Sequence, residues 1–183
     1  MKSYQITAWS HELFKLQVTP SGVYIDATMG NGYDTQFLCE MAGETGKVWA
    51  FDIQEQALKA TKERLEKHGR LAKAELILDS HTQMEQYVKP DSVDGIYFNF
   101  GYLPGGDHEL ATKADTSVQA VETGLRLLKP GGVMALCIYS GGDTGFEEKN
   151  QILDFLRKLD SRKYIVIVNH YYNRENNPPI PAF

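Results

Sequence analysis

The run Val23-Tyr24-Ile25-Asp26-Ala27-Thr28-Met29-Gly30-Asn31-Gly32-Tyr33-Asp34 decides the reading of this chain, with Asp52 as its complement. Val23–Asp26 has the composition of a buried strand, and a helical pattern resumes after Gly32. Gly30 and Gly32 permit a sharp turn and a close backbone approach to a ligand, just before a helix N-terminus. A dinucleotide loop adds a third glycine in G-x-G-x-x-G, and Thr35 occupies that position here. The carboxylates of Asp26 and Asp34 bracket the turn, which disfavours a pyrophosphate and suits a cationic ligand. The bland alternative is that Asp26 ends a strand and Asp34 caps a helix.

Outward from this turn, short β-rich runs alternate with amphipathic helices. The expected strands are Val23–Asp26, Val48–Asp52, Glu75–Leu78, Val93–Phe98, Val133–Tyr139 and Tyr164–Val168. Helical stripes are Ala57/Leu58/Thr61/Leu65, Val118/Val121/Leu125/Leu128 and Ile152/Phe155/Leu156/Leu159, each read as core packing. Lys67-His68-Gly69 reads as a helix C-terminus, Asp143 or Thr144 as a cap for a helix entering at Phe146, and Lys129-Pro130-Gly131-Gly132 as a tight turn. The tail Asn176-Asn177-Pro178-Pro179-Ile180-Pro181 reads as a turn with a frayed end. The pattern predicts an α/β fold, Rossmann-like, with a mostly parallel central sheet and helices on both faces, forming one domain over residues 1–183.

Composition excludes several classes. A net charge of −5 announces no polyanion-binding surface, although a local basic face is compatible with an acidic total. Cys39 and Cys137 are far apart and lack metal-ligand spacing, which argues against a disulfide scaffold or a zinc site. The N-terminal stretch is interrupted by Ser10, His11 and Glu12 and so lacks a signal-peptide centre. No apolar run approaches the roughly 20 residues that cross a bilayer. These features predict a soluble, cytoplasmic protein with no membrane partner.

In such a sheet, ligands bind beyond the carboxyl ends of the strands. Asp52 ends the second strand, twenty residues after Gly32, where a carboxylate accepts hydrogen bonds from ribose hydroxyls; Gln54 lies close by. Ser80 and His81 follow the third strand, where an adenine ring would be flanked, and Ser80 suits a helix cap equally well. A cationic nucleoside ligand that fits both the acidic turn and Asp52 is S-adenosylmethionine.

After the fourth strand comes Asn99-Phe100-Gly101-Tyr102-Leu103-Pro104-Gly105-Gly106-Asp107. Amine-methylating enzymes of the class I fold carry Asn/Asp-Pro-Pro-Tyr/Phe here; this chain keeps the Asn and, three residues on, a Tyr. An amide oxygen can hold an acceptor N–H while an aromatic face stacks a base. A Gly-rich turn is the plain alternative. Both cysteines fall in apolar settings, so ring-carbon methylation through a thiolate is disfavoured against a nitrogen or oxygen acceptor.

Taken together, DATMGNGYDT, FDIQ, DSH, NFGYLPGGD and NRENNPP resemble the bacterial rRNA methylase family, also called YtqB-like or MnmM, over nearly the whole chain. The resemblance implies a class I S-adenosylmethionine-dependent methyltransferase acting on tRNA. The expected product is 5-methylaminomethyluridine, formed from the 5-aminomethyl group of a wobble uridine that is often 2-thiolated. It implies donor contacts from Asn31, Asp52, Gln54, Ser80 and His81, beside the turn residues Asp26, Gly30, Gly32 and Asp34. Asn99 would position the acceptor amine and Asp107, with Tyr102, would orient it or pass on its proton. Tyr102, Leu103 and Pro104 would face the substrate, the tRNA anticodon stem-loop being the expected partner. The strand expected after NNPP is short because the chain ends at Phe183. Homodimer formation stays open, as do an rRNA or small-molecule acceptor, a nicotinamide-dependent oxidoreductase and a non-catalytic RNA-binding module.

Overall fold

A computed structural model describes residues 4–101, 114–140 and 142–183, without the side chains of 142–144. The order is α1 (Ile6–Gln17), β1 (Val23–Asp26), α2 (Tyr33–Ala42), β2 (Lys47–Asp52), α3 (Glu55–Lys67), β3 (Ala74–Leu78), β4 (Val93–Asn99), α4 (Ala114–Leu127), β5 (Leu128–Ile138), α5 (Gly142–Arg157) and β6 (Ile180–Ala182). A 3-10 helix, His81–Gln86, links β3 to β4. The strands form one sheet in the order β3-β2-β1-β4-β5-β6, parallel throughout except for β6, which runs antiparallel to β5.

Successive side chains of a strand face opposite sides, and the core divides accordingly. Ile25, Ile96, Phe98, Leu136 and Ile138 pack with α4 and α5 residues such as Val121 and Ile152. Tyr24, Tyr97 and Cys137, their neighbours in sequence, pack instead with Phe14 of α1, Leu38 of α2 and Leu65 of α3. Gly95 on β4 makes the second interface possible: a Cβ there would lie 2.4 Å from the Phe14 ring, so only glycine admits α1 so close to the sheet. Both cysteines are buried, and burial pushes each thiol up to about 12. A neutral thiol is a poor nucleophile.

Several expectations are corrected at the edges. Tyr164–Val168 is no regular strand; Val168 makes one bridge to Ala182, and Ile167 and Phe183 exchange backbone hydrogen bonds of 2.8 and 2.9 Å. The tail is no frayed turn either, since Ile180–Ala182 pairs with Leu136–Ile138 and Ala182 is fully buried. Prolines at 178, 179 and 181 argue against a strand because they cannot donate to a ladder; burial of the apolar residues between and after them prevails. α5 starts at Gly142, which places Asp143 and Thr144 in its first turn. Leu128 opens β5 and does not extend α4, and Lys129-Pro130-Gly131-Gly132 lies within that strand, beside a register shift between Val93 and Gly95.

Candidate active site

Strand order reverses between β1 and β4, and the crevice of such a sheet lies beyond the carboxyl ends of these two strands. The turn after β1 is pinned from both sides. Ala27 N–H donates to Tyr97 O and Met29 N–H to Phe51 O, each at 2.9 Å, continuing the pairing with β4 and β2. Gly30, at φ +49°, donates its N–H to Asp52 Oδ2 at 3.0 Å. From α3, Thr61 Oγ1 donates to Gly30 O at 3.0 Å and Arg64 Nε to Asn31 O at 2.8 Å. The Arg64 guanidinium also covers the Tyr33 ring at 3.5 Å. These bonds fix the backbone before any ligand arrives, which lowers the ordering cost of binding.

Two turn residues expected to touch the ligand lie behind the cavity wall. Asp26 is fully buried; it accepts from Thr35 Oγ1 at 2.6 Å and Thr28 N–H at 3.1 Å. Burial, then the nearby Asp34 carboxylate, pushes its carboxyl up to about 8. A carboxyl that burial drives toward its neutral form, sealed from the cavity, is not placed to meet the ligand as expected from sequence. Gly32, at φ +76°, faces α3: a Cβ there would lie 2.7 Å from Thr61 Oγ1. Its lack of a side chain serves helix packing, and Gly30 stays on the cavity.

The cavity encloses about 1070 Å³ and is lined by Gly30, Asn31, Asp34, Asp52, Gln54 and Asn99, among others. One end of it is formed by the β2 and β3 termini. Asp52 keeps one oxygen on Gly30 N–H and the other on Gln54 N–H, both at 3.0 Å. A carboxylate offers about four acceptor positions, so capacity remains for hydroxyls. Desolvation raises its pKa, opposed by the backbone N–H donors. Ser80 Oγ caps the 3-10 helix by accepting Thr82 N–H at 3.2 Å, and the residue also lines the cavity. His81 packs edge-on to Phe98, and burial lowers its pKa to about 4, leaving a neutral ring.

The opposite wall comes from α1, a helix not among those expected from the sequence. Ile6, Ser10 and Phe14 are its buried stripe. One position on, Thr7, His11 and Lys15 recur at the same i, i+4, i+8 spacing and face the cavity. That polar stripe beside an apolar one was the available signal. His11 stacks on Phe37 with centroids 3.8 Å apart and meets Asp34 Oδ1 through Nε2 at 2.7 Å. The other Asp34 oxygen accepts Asn99 Nδ2 at 3.2 Å. Asp34 therefore caps nothing with its side chain; it joins α1, α2 and β4.

Asn99 is held twice, since its backbone N–H also donates to Thr28 Oγ1 at 2.8 Å. Phe100 follows, stacked on Phe98, and Tyr139 and the buried Glu148 complete this end of the cavity. Glu148 accepts a 2.5 Å hydrogen bond from Ser117 of α4. Tyr102, Leu103, Pro104 and Asp107 lie outside the described residues. Among the described residues, no group of three or more His, Cys, Asp or Glu could hold a metal, and no helix is long and apolar enough to cross a membrane.

Residues 48–183 match the family model described as "Putative rRNA methylase". The chain belongs to this family. It is 40% identical to a "putative rRNA-methylase" from Clostridium thermocellum, with a TM-score of 0.94 over 100% of this chain and 97% of that one. A "putative methyltransferase" from Streptococcus mutans, solved in complex with SAH, is 35% identical with a TM-score of 0.86 over 100% and 97% of the two chains. The chloroplastic tRNA (mnm(5)s(2)U34)-methyltransferase of Arabidopsis thaliana is 32% identical over 94% of this chain. The chain spans 66% of the length of that relative.

The fold of this rRNA methylase family member is that of S-adenosylmethionine-dependent methyltransferases, a class whose methyl donor is S-adenosylmethionine. The lining of the cavity suits S-adenosylmethionine: Asp52 and Gln54 would meet a ribose, Ser80 an adenine edge, and Asp34 a positive charge.

Proposed function

We propose that the protein N-methylates the 5-aminomethyl group of (2-thio)uridine at the wobble position of a tRNA anticodon stem-loop. The observation that carries this reading is Asn99. With its nitrogen committed to Asp34, the amide presents an oxygen acceptor, the group needed to orient an amine N–H. The similarity to the Arabidopsis tRNA methyltransferase supports the choice of acceptor.

The bound cofactor supplies an electrophilic methyl group on a sulfonium. The protein's part is to hold nucleophile and methyl collinear in a dry site, which is where most of the acceleration of such a displacement arises. An alkylamine with a free pKa of about 10 must be neutral to attack. A buried, cation-facing position favours its neutral form, so no strong base is required. Asp107 and Tyr102 remain the proposed groups for orienting the amine or passing its proton to water.

The test is nucleoside mass spectrometry of tRNA after incubation with the protein and isotope-labelled S-adenosylmethionine. Conversion of 5-aminomethyl(2-thio)uridine to its labelled N-methyl product is expected. Labelled rRNA or free small amines with untouched tRNA would overturn the reading.

A further inference from the structure

We infer that a second, smaller cavity, between α5 and the C-terminal segment, binds a backbone phosphate of the RNA substrate. It has a volume of about 210 Å³, and its lining includes Ser140, Lys149, His170, Arg174 and Asn177. Lysine, arginine and a protonatable histidine converge there with a hydroxyl and an amide, a donor-rich set suited to a phosphate. Among the described residues, neither Lys149 nor Arg174 is paired with a carboxylate. Lys149 lies 5.0 Å from the Phe146 ring centroid and Arg174 4.9 Å from that of Tyr171. Both charges keep their capacity for an anion.

A second observation points the same way. Ser140 is 8% exposed, and among the described residues its Oγ has no hydrogen-bond partner. A buried hydroxyl left unsatisfied costs free energy that a ligand recovers. Position strengthens the case. Tyr139 and Glu148 line the large cavity, and their sequence neighbours Ser140 and Lys149 line the small one. The two cavities thus flank one strand-to-helix junction at the acceptor end of the site. Two of the basic residues of α3 are already engaged, Arg64 with Asn31 and Gln36 and Lys62 with Glu66. In a chain of net charge −5, the small cavity is a local cationic spot beside the reaction centre.

This inference rests on the RNA reading above, and its test separates the two. A fluorescently labelled RNA stem-loop with a uridine at the wobble position is titrated against wild type, Lys149→Gln/Arg174→Gln and Ser140→Ala over a salt series. SAH affinity and melting temperature report folding. The double variant is expected to bind the stem-loop about tenfold more weakly, with SAH affinity unchanged. Its log K against log salt should be shallower by about 0.7 to 0.9 per lost phosphate contact. Ser140→Ala should weaken RNA binding in the same direction and to a smaller extent. Replacing the phosphates one at a time by neutral methylphosphonates should identify one whose removal weakens wild type and leaves the double variant unaffected. Unchanged RNA affinity and salt slope in the double variant overturn the phosphate site and leave the RNA reading standing. Failure of wild type to bind any RNA overturns both. Stabilisation of wild type but not the variant by inorganic phosphate, with equal RNA binding, reassigns the cavity to free phosphate and overturns the proposal.

Discussion

Asn99 and Asp34 are 65 residues apart in sequence and 3.2 Å apart in the fold, joined by an amide-to-carboxylate hydrogen bond at the centre of the cavity. The other Asp34 oxygen holds His11. The orientation of Asn99 is therefore set by three elements at once, and this yields the first prediction. Asn99→Ala should lower kcat by about 100-fold, as expected for a misplaced nucleophile, with little change in SAH affinity. Single-turnover rates and calorimetry with SAH would show it. Normal turnover would remove Asn99 from the positioning role.

Asp52 lines the cavity and braces the turn after β1 through Gly30 N–H. Asp52→Ala should weaken SAH by about ten- to hundredfold, the range for losing a hydrogen bond to a charged group. Calorimetry decides this. Unchanged affinity would show that the bond to Gly30 is its whole contribution.

Gly32 tests the packing argument. Gly32→Ala forces a side chain onto a left-handed residue and against Thr61, so a loss of about 1–3 kcal/mol is expected in urea denaturation. Adding Thr61→Ala should recover part of it, because the two sites are in contact. Additive losses would place the strain elsewhere.

Asp26 gives a pH signature with a definite sign. Its folded pKa of about 8 lies above its ordinary 3.8, so the folded state holds the proton more tightly. Its stabilisation is full below about pH 4 and drains as pH rises through 8, by up to about 1.4 kcal/mol per unit. Asp26→Asn, nearly isosteric, should flatten stability between pH 5 and 8. An unchanged slope would mean that Asp26 is ionised.

His81 has the opposite behaviour. Burial lowers its pKa to about 4, so its contribution is present above the ordinary 6.5 and is lost as pH falls through 4. Its ring proton resonances should stay those of neutral imidazole down to about pH 5. A midpoint near 6.5 in an NMR titration would contradict the buried geometry.

Much of this was readable in the chain because the relevant signals are local. The β1 turn and Asp52 sit at fixed distances along the sequence, and β1, β2 and β4 have the apolar, β-branched or aromatic make-up of strands inside a covered sheet. Ser80 has the short polar side chain of a cap. What escaped was tertiary. Nothing near Asp26 reveals that it is sealed below the turn, since its partners Thr35 and Asp34 only close over it once α2 is docked. Gly32 and Gly30 look alike in sequence, and only the approach of Thr61 separates them. His11 enters the site because Phe14 fits the gap at Gly95, a contact across 81 positions. The tail carries two opposed signals, a short strand expected after NNPP and prolines that speak for a frayed turn, and burial of Ala182 decides for β6.

One consequence of α1 walling the cavity is practical. Trp9 lies on that helix, between Ala8 and Ser10, and the chain's other tryptophan, Trp49, lies on β2. The Trp9 indole packs against Tyr4 on the helix that walls the cavity, and it is an optical reporter the molecule already carries. In a Trp49→Phe background, emission from Trp9 offers a label-free titration of donor arrival, read from a helix that contributes no part of the glycine turn.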